Sequence, residues 1–224
     1  TLMGILNGIT KPDQGEIFIN DKNVKIDDPK DAFNLNLSIV HQEFALCNNL
    51  SVAENIFLGN EPFNKYGLIN KDKINSDAKV MLKSINVDLN TEEIVGNLNT
   101  SQWQIIEICK ALSKNPKFIV MDEPTASLDE SQIDNLFEII KSLKNNGIGI
   151  IYISHKLNEI IQISDRITVL KDGRIKKSFG KDKVTEKLLI ETMIGESIEN
   201  NSQKSSNSKE LLFKINDLSL LKKF

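Results

Sequence analysis

The heptapeptide Phe118–Pro124 constrains the fold of this chain more than any other stretch. Its four consecutive apolar residues predict a short strand buried on both faces, as in a parallel sheet covered by helices. The strand ends in Asp122 and Glu123, because Pro124 cannot donate to a ladder. Successive strand side chains point to opposite faces, so one acid can hold a hydrated Mg²⁺ while the other faces an attacking water. The alternative is that both acids only begin a solvated loop.

Composition excludes several classes of protein. A chain of 224 residues, 40% hydrophobic and 26% charged, can bury one core and a second small lobe. The net charge of -3 includes no basic excess, so no nucleic-acid partner is expected. Cys47 and Cys109 have no histidine at metal-binding spacing and are predicted to be reduced thiols in or near the core. No apolar run approaches 18 residues, and neither a membrane span nor a signal peptide is expected.

Strand and helix patterns alternate along the chain, which predicts an α/β fold with a parallel sheet. The predicted helices are 1–7, 29–35, 51–58, 70–87, 102–112, 130–145, 156–163 and 185–194. The predicted strands are 16–20, 37–41, 118–121 and 148–153, followed by a hairpin of 166–170 and 174–179 across Asp172–Gly173. The region 70–113 has no strand pattern and reads as an inserted helical lobe. On the second helix of this lobe, Ile105, Ile106, Cys109 and Leu112 are expected to share the buried face.

Both ends of the sequence predict an incomplete fold. A helix that opens at residue 1 without a cap indicates that the natural N-terminus lies further upstream. The polar stretch 196–210 has no apolar period and is predicted to be a linker, and 211–224 begins with a new strand.

The polar signals occur in a distinctive order. Gln42 follows a strand, Leu98–Gln102 opens a helix, and Ser127–Asp129 follows the acidic strand. His155 then ends the next strand. With these features the chain resembles the nucleotide-binding domain of an ATP-binding-cassette (ABC) transporter over essentially its whole length. The matching parts are the glutamine loop (Gln42), the signature (98–102), the Walker B strand (118–123), the D-loop (127–129) and the switch histidine (His155).

A closer resemblance is to the first half of tandem-cassette ATPases from bacterial ribose, galactose and xylose importers. It implies a P-loop NTPase-type sheet with an inserted helical subdomain, using ATP and Mg²⁺. It also implies that 1–195 is a first cassette without its first strands and phosphate-binding loop, that 211–224 begins a second cassette, and that the fragment alone is inactive. The segments that carry it are Val40–Glu43, Leu50–Gly59, Ile108–Leu112, Tyr152–His155, Asp165–Gly173 and Met193–Glu196.

The resemblance implies roles for the residues at the strand ends. Asp122 would hold Mg²⁺ through water, and Glu123 would orient or deprotonate the attacking water. Gln42 would offer its amide oxygen to Mg²⁺ or water, and its loop would touch the membrane subunits. His155 would hydrogen-bond the γ-phosphate and position Glu123. A satisfied structural histidine at a strand end is the alternative for His155.

Further residues are implied to contact nucleotide. Thr1 would lie just after the lysine and serine of a phosphate-binding loop and contact the α-phosphate, and Asp129 belongs to the D-loop. The signature Asn99, Thr100, Ser101 and Gln102 would bind a γ-phosphate on a facing cassette through a helix N-terminus. It departs from the family, because side chains stand where glycines allow close backbone approach. In the alternative, 98–103 only caps a helix.

The function expected from the resemblance is ATP-driven uptake of a monosaccharide. The chain would sit on the cytoplasmic face of the membrane, with permease subunits, a second cassette and, indirectly, a sugar-binding protein as partners. Nucleosides or another small solute are alternative cargoes. A soluble ABC ATPase without a transport role and a non-hydrolysing regulatory half are the alternative functions.

Overall fold

A computed structural model describes residues 2–194 of the chain. Thr1, the predicted linker 196–210 and the predicted second cassette 211–224 lie outside the described residues. The proposed boundary at residue 195 lies outside them as well.

Residues 2–194 form eight α-helices and seven strands, with two short 3-10 turns at Val95–Asn97 and Lys181–Lys183. The helices are α1 (Leu2–Leu6), α2 (Pro29–Asn34), α3 (Val52–Ile56), α4 (Lys71–Ser84), α5 (Thr100–Leu112), α6 (Glu130–Asn145), α7 (Leu157–Ile163) and α8 (Glu186–Ile194). The strands are β1 (Ile17–Ile19), β2 (Lys22–Val24), β3 (Leu37–Val40), β4 (Phe118–Asp122), β5 (Gly149–Ile153), β6 (Arg166–Lys171) and β7 (Arg174–Gly180). No helix in this part of the chain is long and apolar enough to cross a membrane.

The central sheet is parallel and has the order β3-β4-β5, which confirms the α/β prediction. Strand β4 lies in the middle, and its residues Ile119, Val120 and Met121 are fully buried. Their side chains alternate between two cores: Ile119 and Met121 pack with α5 and α6 on one face, and Val120 packs with Leu37 on the other. Burial on both faces explains why this strand is an uninterrupted apolar run.

Helices α4 and α5 lie in the region 70–113, and α5 differs from the prediction in two ways. It begins at Thr100 rather than residue 102, because the polar first turn shows no apolar period. Its buried face is also wider: Ile106 and Cys109 are buried as expected, whereas Ile105 and Leu112 are only partly buried. The helix packs against α3, α4 and β3 together, so it is covered on more than one side. The additional buried residues are Gln104, Glu107, Ile108 and Ala111.

Two hairpins turn through residues in the left-handed region. Asp172 and Gly173, with φ of 51° and 71°, join β6 to β7 as predicted for a type I′ turn. Asn20 and Asp21, with φ of 50° and 60°, join β1 to β2 in the same way. Strand β2 was not predicted, since two of its three residues, Lys22 and Asn23, are polar.

Candidate active site

The carboxyl ends of β3, β4 and β5 bring the predicted catalytic residues to one edge of the sheet. Val40 pairs with Met121, and Met121 pairs with Tyr152. Gln42 lies two residues after Val40, and Glu123 lies two residues after Met121. His155 lies two residues after the end of β5, at the same edge. Ligands of open parallel sheets bind at this edge, so three of the predicted site segments share the position expected for a nucleotide.

Glu123 and His155 are in direct contact. The imidazole Nδ1 of His155 lies 2.9 Å from the Oε1 atom of Glu123, the distance of a hydrogen bond. An ionised carboxylate can only accept, so the contact requires a proton on Nδ1. The Glu123 side chain is 28% exposed and that of His155 is 68% exposed. Both groups can therefore meet a water or a phosphate at the surface of the edge.

The backbone of Glu123 is held in an unusual conformation. Its φ is +47°, a left-handed value that costs about 1–2 kcal/mol for a residue with a side chain. Its N–H donates to the carbonyl of Ile153 at 2.9 Å, and its own carbonyl accepts from Ala126 N–H at 3.2 Å. The sheet and the following turn thus fix the peptide groups on both sides of Glu123. The chain turns away from the direction of β4 at this residue.

The donors at this edge fit a magnesium ion. Asp122 ends β4 with a partly exposed carboxylate, and the amide of Gln42 is exposed beyond β3. Mg²⁺ prefers oxygen ligands and is usually held by one or two carboxylates together with substrate phosphates and water. Among residues 2–194, no group of three His, Cys, Asp or Glu side chains could hold a metal by itself. A site that depends on nucleotide phosphates does not need such a group.

A buried polar network lies behind the contact and was missed by the sequence analysis. Glu159, on α7, is only 6% exposed, and its Oε2 accepts from Thr125 Oγ1 at 2.7 Å and from the hydroxyl of Tyr152 at 2.8 Å. Ser154 Oγ lies 3.3 Å from the same oxygen. Lys156 Nζ forms an ion pair with Oε1 at 3.2 Å, without hydrogen-bond geometry, and donates to the Thr125 carbonyl.

The charge state of this network follows from its partners. Burial alone would raise the pKa of Glu159, but the hydrogen bonds from Thr125 and Tyr152 and the adjacent Lys156 outweigh burial and lower it. Burial and the contact with Glu159 raise the pKa of Tyr152. Glu159 is thus an ionised acceptor and Tyr152 a neutral donor near pH 7. A sequence signal existed, since Glu159 shares a helix face with Ile163, four residues on, which packs against the core.

The segment after Gln42 is fastened to the helical lobe. Ala45 N–H donates to the Glu107 carboxylate at 2.7 Å, and Lys110 Nζ donates to the Ala45 carbonyl at 2.7 Å. The side-chain amide of Asn55 exchanges two hydrogen bonds with the backbone of Cys47. The chain is therefore hydrogen-bonded to α5 three residues after Gln42. The segment that carries Gln42 connects the carboxyl edge of the sheet to the helical region.

The predicted signature forms the capped start of α5. Asn99 Oδ1 accepts from Gln102 N–H at 3.0 Å, and Gln102 Oε1 accepts from Asn99 N–H at 3.0 Å. This is a reciprocal capping box. The hydroxyl of Ser101 donates to Asn99 Oδ1 at 2.9 Å. The side chains thus perform the capping role considered as an alternative, while phosphate binding by this segment stays a prediction.

We expect Asn99→Ala to lower the free energy of unfolding by about 1 kcal/mol, the usual effect of removing an N-cap side chain. Asn99→Asp retains an acceptor oxygen and should change it little. Urea denaturation of the 224-residue chain measures both. Equal losses from the two variants would contradict the capping role.

Asp129 caps α6 in the same manner. Its Oδ1 accepts from Gln132 N–H at 3.0 Å and from Ser131 Oγ at 2.8 Å, and these bonds lower its pKa. A small cavity of about 40 Å³, whose lining includes Ser101, Leu128 and Gln132, separates this segment from the start of α5. The structure therefore brings the signature and the D-loop together, whereas it shows no hydrogen bond from either to Glu123 or His155 within residues 2–194.

Thr1 lies outside the described residues, so its predicted contact with the α-phosphate stays a prediction. Both cysteines are free thiols, as predicted. Burial raises the pKa of the Cys109 thiol to about 12, which keeps it protonated and unreactive.

Comparison with known sequences gives one consistent result. The sequence model of the family described as "ABC transporter" matches residues 1–126. The chain is 44% identical over 200 residues to a ribose import ATP-binding protein of Clostridium perfringens, covering 89% of the chain and 40% of that protein. It is 39% identical over 222 residues to a galactose/methyl galactoside import ATP-binding protein of Clostridium tetani, covering 97% of the chain and 44% of that protein. The chain thus spans less than half the length of these relatives.

Comparison with solved structures supports the fold. A nucleotide-free ATP-binding cassette from an ABC transporter superposes with a TM-score of 0.70 at 23% identity, covering 80% of this chain and 74% of that one. A cassette in its ADP conformation superposes with a TM-score of 0.71 at 24% identity, covering 87% and 82%. These similarities concern the fold alone.

Proposed function

This chain belongs to the ABC transporter family, and on that premise we propose that it is the ATP-hydrolysing part of a monosaccharide importer. The observation that carries the proposal is the 2.9 Å contact between Glu123 and His155 at the carboxyl edge of the sheet. A carboxylate beside an imidazole can accept a proton from water while the imidazole holds the carboxylate in place. The contact favours a hydrolytic function over a regulatory half that only binds nucleotide.

The proposed mechanism divides the work among four side chains. Glu123 orients the attacking water and accepts its proton. His155 donates from Nδ1 to the Glu123 carboxylate and, when Nε2 also carries a proton, donates from Nε2 toward the terminal phosphate. Asp122 and Gln42 would hold Mg²⁺, which neutralises phosphate charge when bound. Asp122 is the last residue of β4, whereas Glu123 lies beyond the strand in a left-handed conformation and contacts His155, so the turn of the backbone separates the contacts of the two carboxylates. This separation lets one acid serve the metal and the other the water.

The cargo is inferred from the relatives. Their names include ribose, galactose and methyl galactoside import. We therefore propose a pentose or hexose as the transported solute, with nucleosides as the alternative. The partners would be permease subunits in the membrane, a second cassette and, indirectly, a sugar-binding protein, and the chain would work at the cytoplasmic face.

Transport can be tested by disrupting the gene in its own host and following the uptake of radiolabelled ribose, galactose and uridine. Loss of sugar uptake alone would support the proposal, and loss of uridine uptake alone would favour a nucleoside cargo. Unchanged uptake of all three would contradict an import function for these solutes.

We expect the 224-residue chain to bind Mg-ATP weakly, because its sequence contains no GxxxxGK[ST] loop. Joining such a loop ahead of Thr1 should raise the affinity by at least about 100-fold, which corresponds to two charge-assisted hydrogen bonds at about 1.5 kcal/mol each. Isothermal titration with Mg-ATP measures both chains. The same loop with its lysine replaced by alanine is the control. Micromolar binding by the 224-residue chain itself would contradict the prediction.

A further inference from the structure

The two residues of the proposed catalytic pair lie on separate segments that share one anchor. Glu123 is followed two residues later by Thr125, and His155 is preceded directly by Ser154. The hydroxyls of Thr125 and Ser154 both approach Oε2 of Glu159, at 2.7 and 3.3 Å. A buried side chain thus links the segment of Glu123 to the segment of His155 through the residues beside them.

We infer that Glu159 is a positioning residue that holds Glu123 and His155 at hydrogen-bonding distance. The catalytic part of this inference rests on the proposed function. Its geometric part, that Glu159 fixes the contact, does not depend on any activity.

The chemistry of the network requires a carboxylate at this position. Three hydroxyls, from Thr125, Tyr152 and Ser154, converge on a single oxygen of Glu159. Only an atom with more than one free lone pair and no proton can serve them together, and an ionised carboxylate oxygen meets this condition. An amide could place its oxygen at this position, but its NH₂ group would then replace Oε1, which lies 3.2 Å from the Lys156 ammonium, and a donor would face a donor.

The placement of charge also points to a positioning role. A buried ion pair is weak evidence for a role in stability, because well-packed apolar residues at the same positions often give a fold that is equally stable. Lys156 and Glu159 lie on one segment, three residues apart, but Lys156 Nζ also donates to the Thr125 carbonyl at 3.1 Å and so reaches the other segment. Lys156 directly follows His155, so the pair ties the histidine segment to the segment that follows Glu123.

The strained backbone of Glu123 needs such support. A left-handed φ of +47° at a residue with a side chain persists only where the surroundings hold it. The Thr125 anchor begins two residues later and is 1% exposed. Release of Thr125 would let the turn relax and move the Glu123 carboxylate away from His155.

The first test measures the contact itself in the 224-residue chain. The chain has only two histidines, so ¹H–¹⁵N spectra of the imidazole nitrogens contain two spin systems, and His41→Gln assigns them. We expect Glu159→Gln to shift the Nδ1 resonance of His155 in the same direction as Glu123→Ala, which removes the acceptor. Tyr152→Phe, which removes one donor and keeps the ring, should produce a smaller shift in that direction. Glu138→Gln on the exposed surface of α6 is the matched control and should leave the resonance unchanged.

An unchanged His155 resonance in a folded Glu159→Gln chain would overturn the inference. Urea denaturation establishes that each variant is folded. Should Glu159→Gln fail to fold, the Tyr152→Phe spectrum decides the question by the same criterion.

The second test measures hydrolysis in the chain joined to a phosphate-binding loop. We expect Glu159→Gln to lower kcat about 10- to 100-fold with little change in KM for ATP, the effect of misplacing a catalytic group by about 1 Å. Thr125→Ser, which keeps the hydroxyl, should retain most of the activity that Thr125→Val loses. In a His155→Ala background, Glu159→Gln should cause little further loss, because the two changes disable one contact.

The two tests separate the inference from the proposed function. A parent chain that hydrolyses no ATP would contradict the function, while the imidazole spectra would still decide whether Glu159 sets the contact. Additive losses from Glu159→Gln and His155→Ala in an active parent would contradict positioning and leave the function intact.

Discussion

Replacement of Glu123 by glutamine should lower the rate of ATP hydrolysis by about 10²- to 10⁴-fold in the chain joined to a phosphate-binding loop, the range expected for loss of a general base. Glutamine has the same shape as glutamate and can still accept a hydrogen bond from His155, so the contact at 2.9 Å can persist. It cannot take a proton from water at neutral pH. Nucleotide affinity should change little, because Glu123 faces the water rather than the phosphate charge in the proposed mechanism.

Single-turnover hydrolysis of radiolabelled ATP measures this effect without interference from product release, and nucleotide affinity is followed by titration. Glu138→Gln makes the same chemical change on an exposed face of α6, where Glu138 only pairs with Lys141, and should keep the parental rate. His155→Ala should resemble Glu123→Gln in rate. Hydrolysis by Glu123→Gln at the parental rate would remove Glu123 from the mechanism.

Helices that begin at an N-cap pattern were predicted well from the sequence. The Ser51–Glu54 and Asp129–Gln132 pairs both form reciprocal capping boxes at the starts of predicted helices. The start of α5 was placed two residues late because Asn99 and Thr100 precede the first apolar residue of the period. Local signals of this kind depend on neighbouring residues only, and these are present in the sequence.

The candidate site was predicted less completely. Parallel pairing accounts for Gln42, Glu123 and His155 at one edge, and this follows from where their strands end. The left-handed Glu123 and the role of Glu159 depend on contacts between residues far apart, such as Thr125 and Glu159, which are 34 positions apart. A glutamate on a short helix is usually a solvated charge, and its spacing of four residues from Ile163 was the local signal that could have indicated burial.

Replacement of Phe137 by alanine should lower the free energy of unfolding by about 3–5 kcal/mol, the range for deleting a buried aromatic side chain. Phe137 lies on α6 and is 1% exposed, in the core that covers the face of the sheet with Ile119 and Met121. Its ring meets the ring of Tyr152 edge-on, with centroids 6.2 Å apart and an angle of 76° between the planes. Such a pair adds about 0.5–1.5 kcal/mol beyond burial.

The effect of Phe137→Ala should therefore reach the site as well as the core. Tyr152 donates its hydroxyl to Glu159 and packs its ring against Phe137, so a cavity at Phe137 gives this donor room to move. Urea denaturation of the 224-residue chain should show a lower midpoint with an unchanged slope. Phe63→Ala is the matched control: this side chain is 63% exposed, and its removal should change stability by no more than about 0.5 kcal/mol. Equal losses from the two variants would show that the packing around α6 does not hold the sheet, and with it the carboxyl edge, in place.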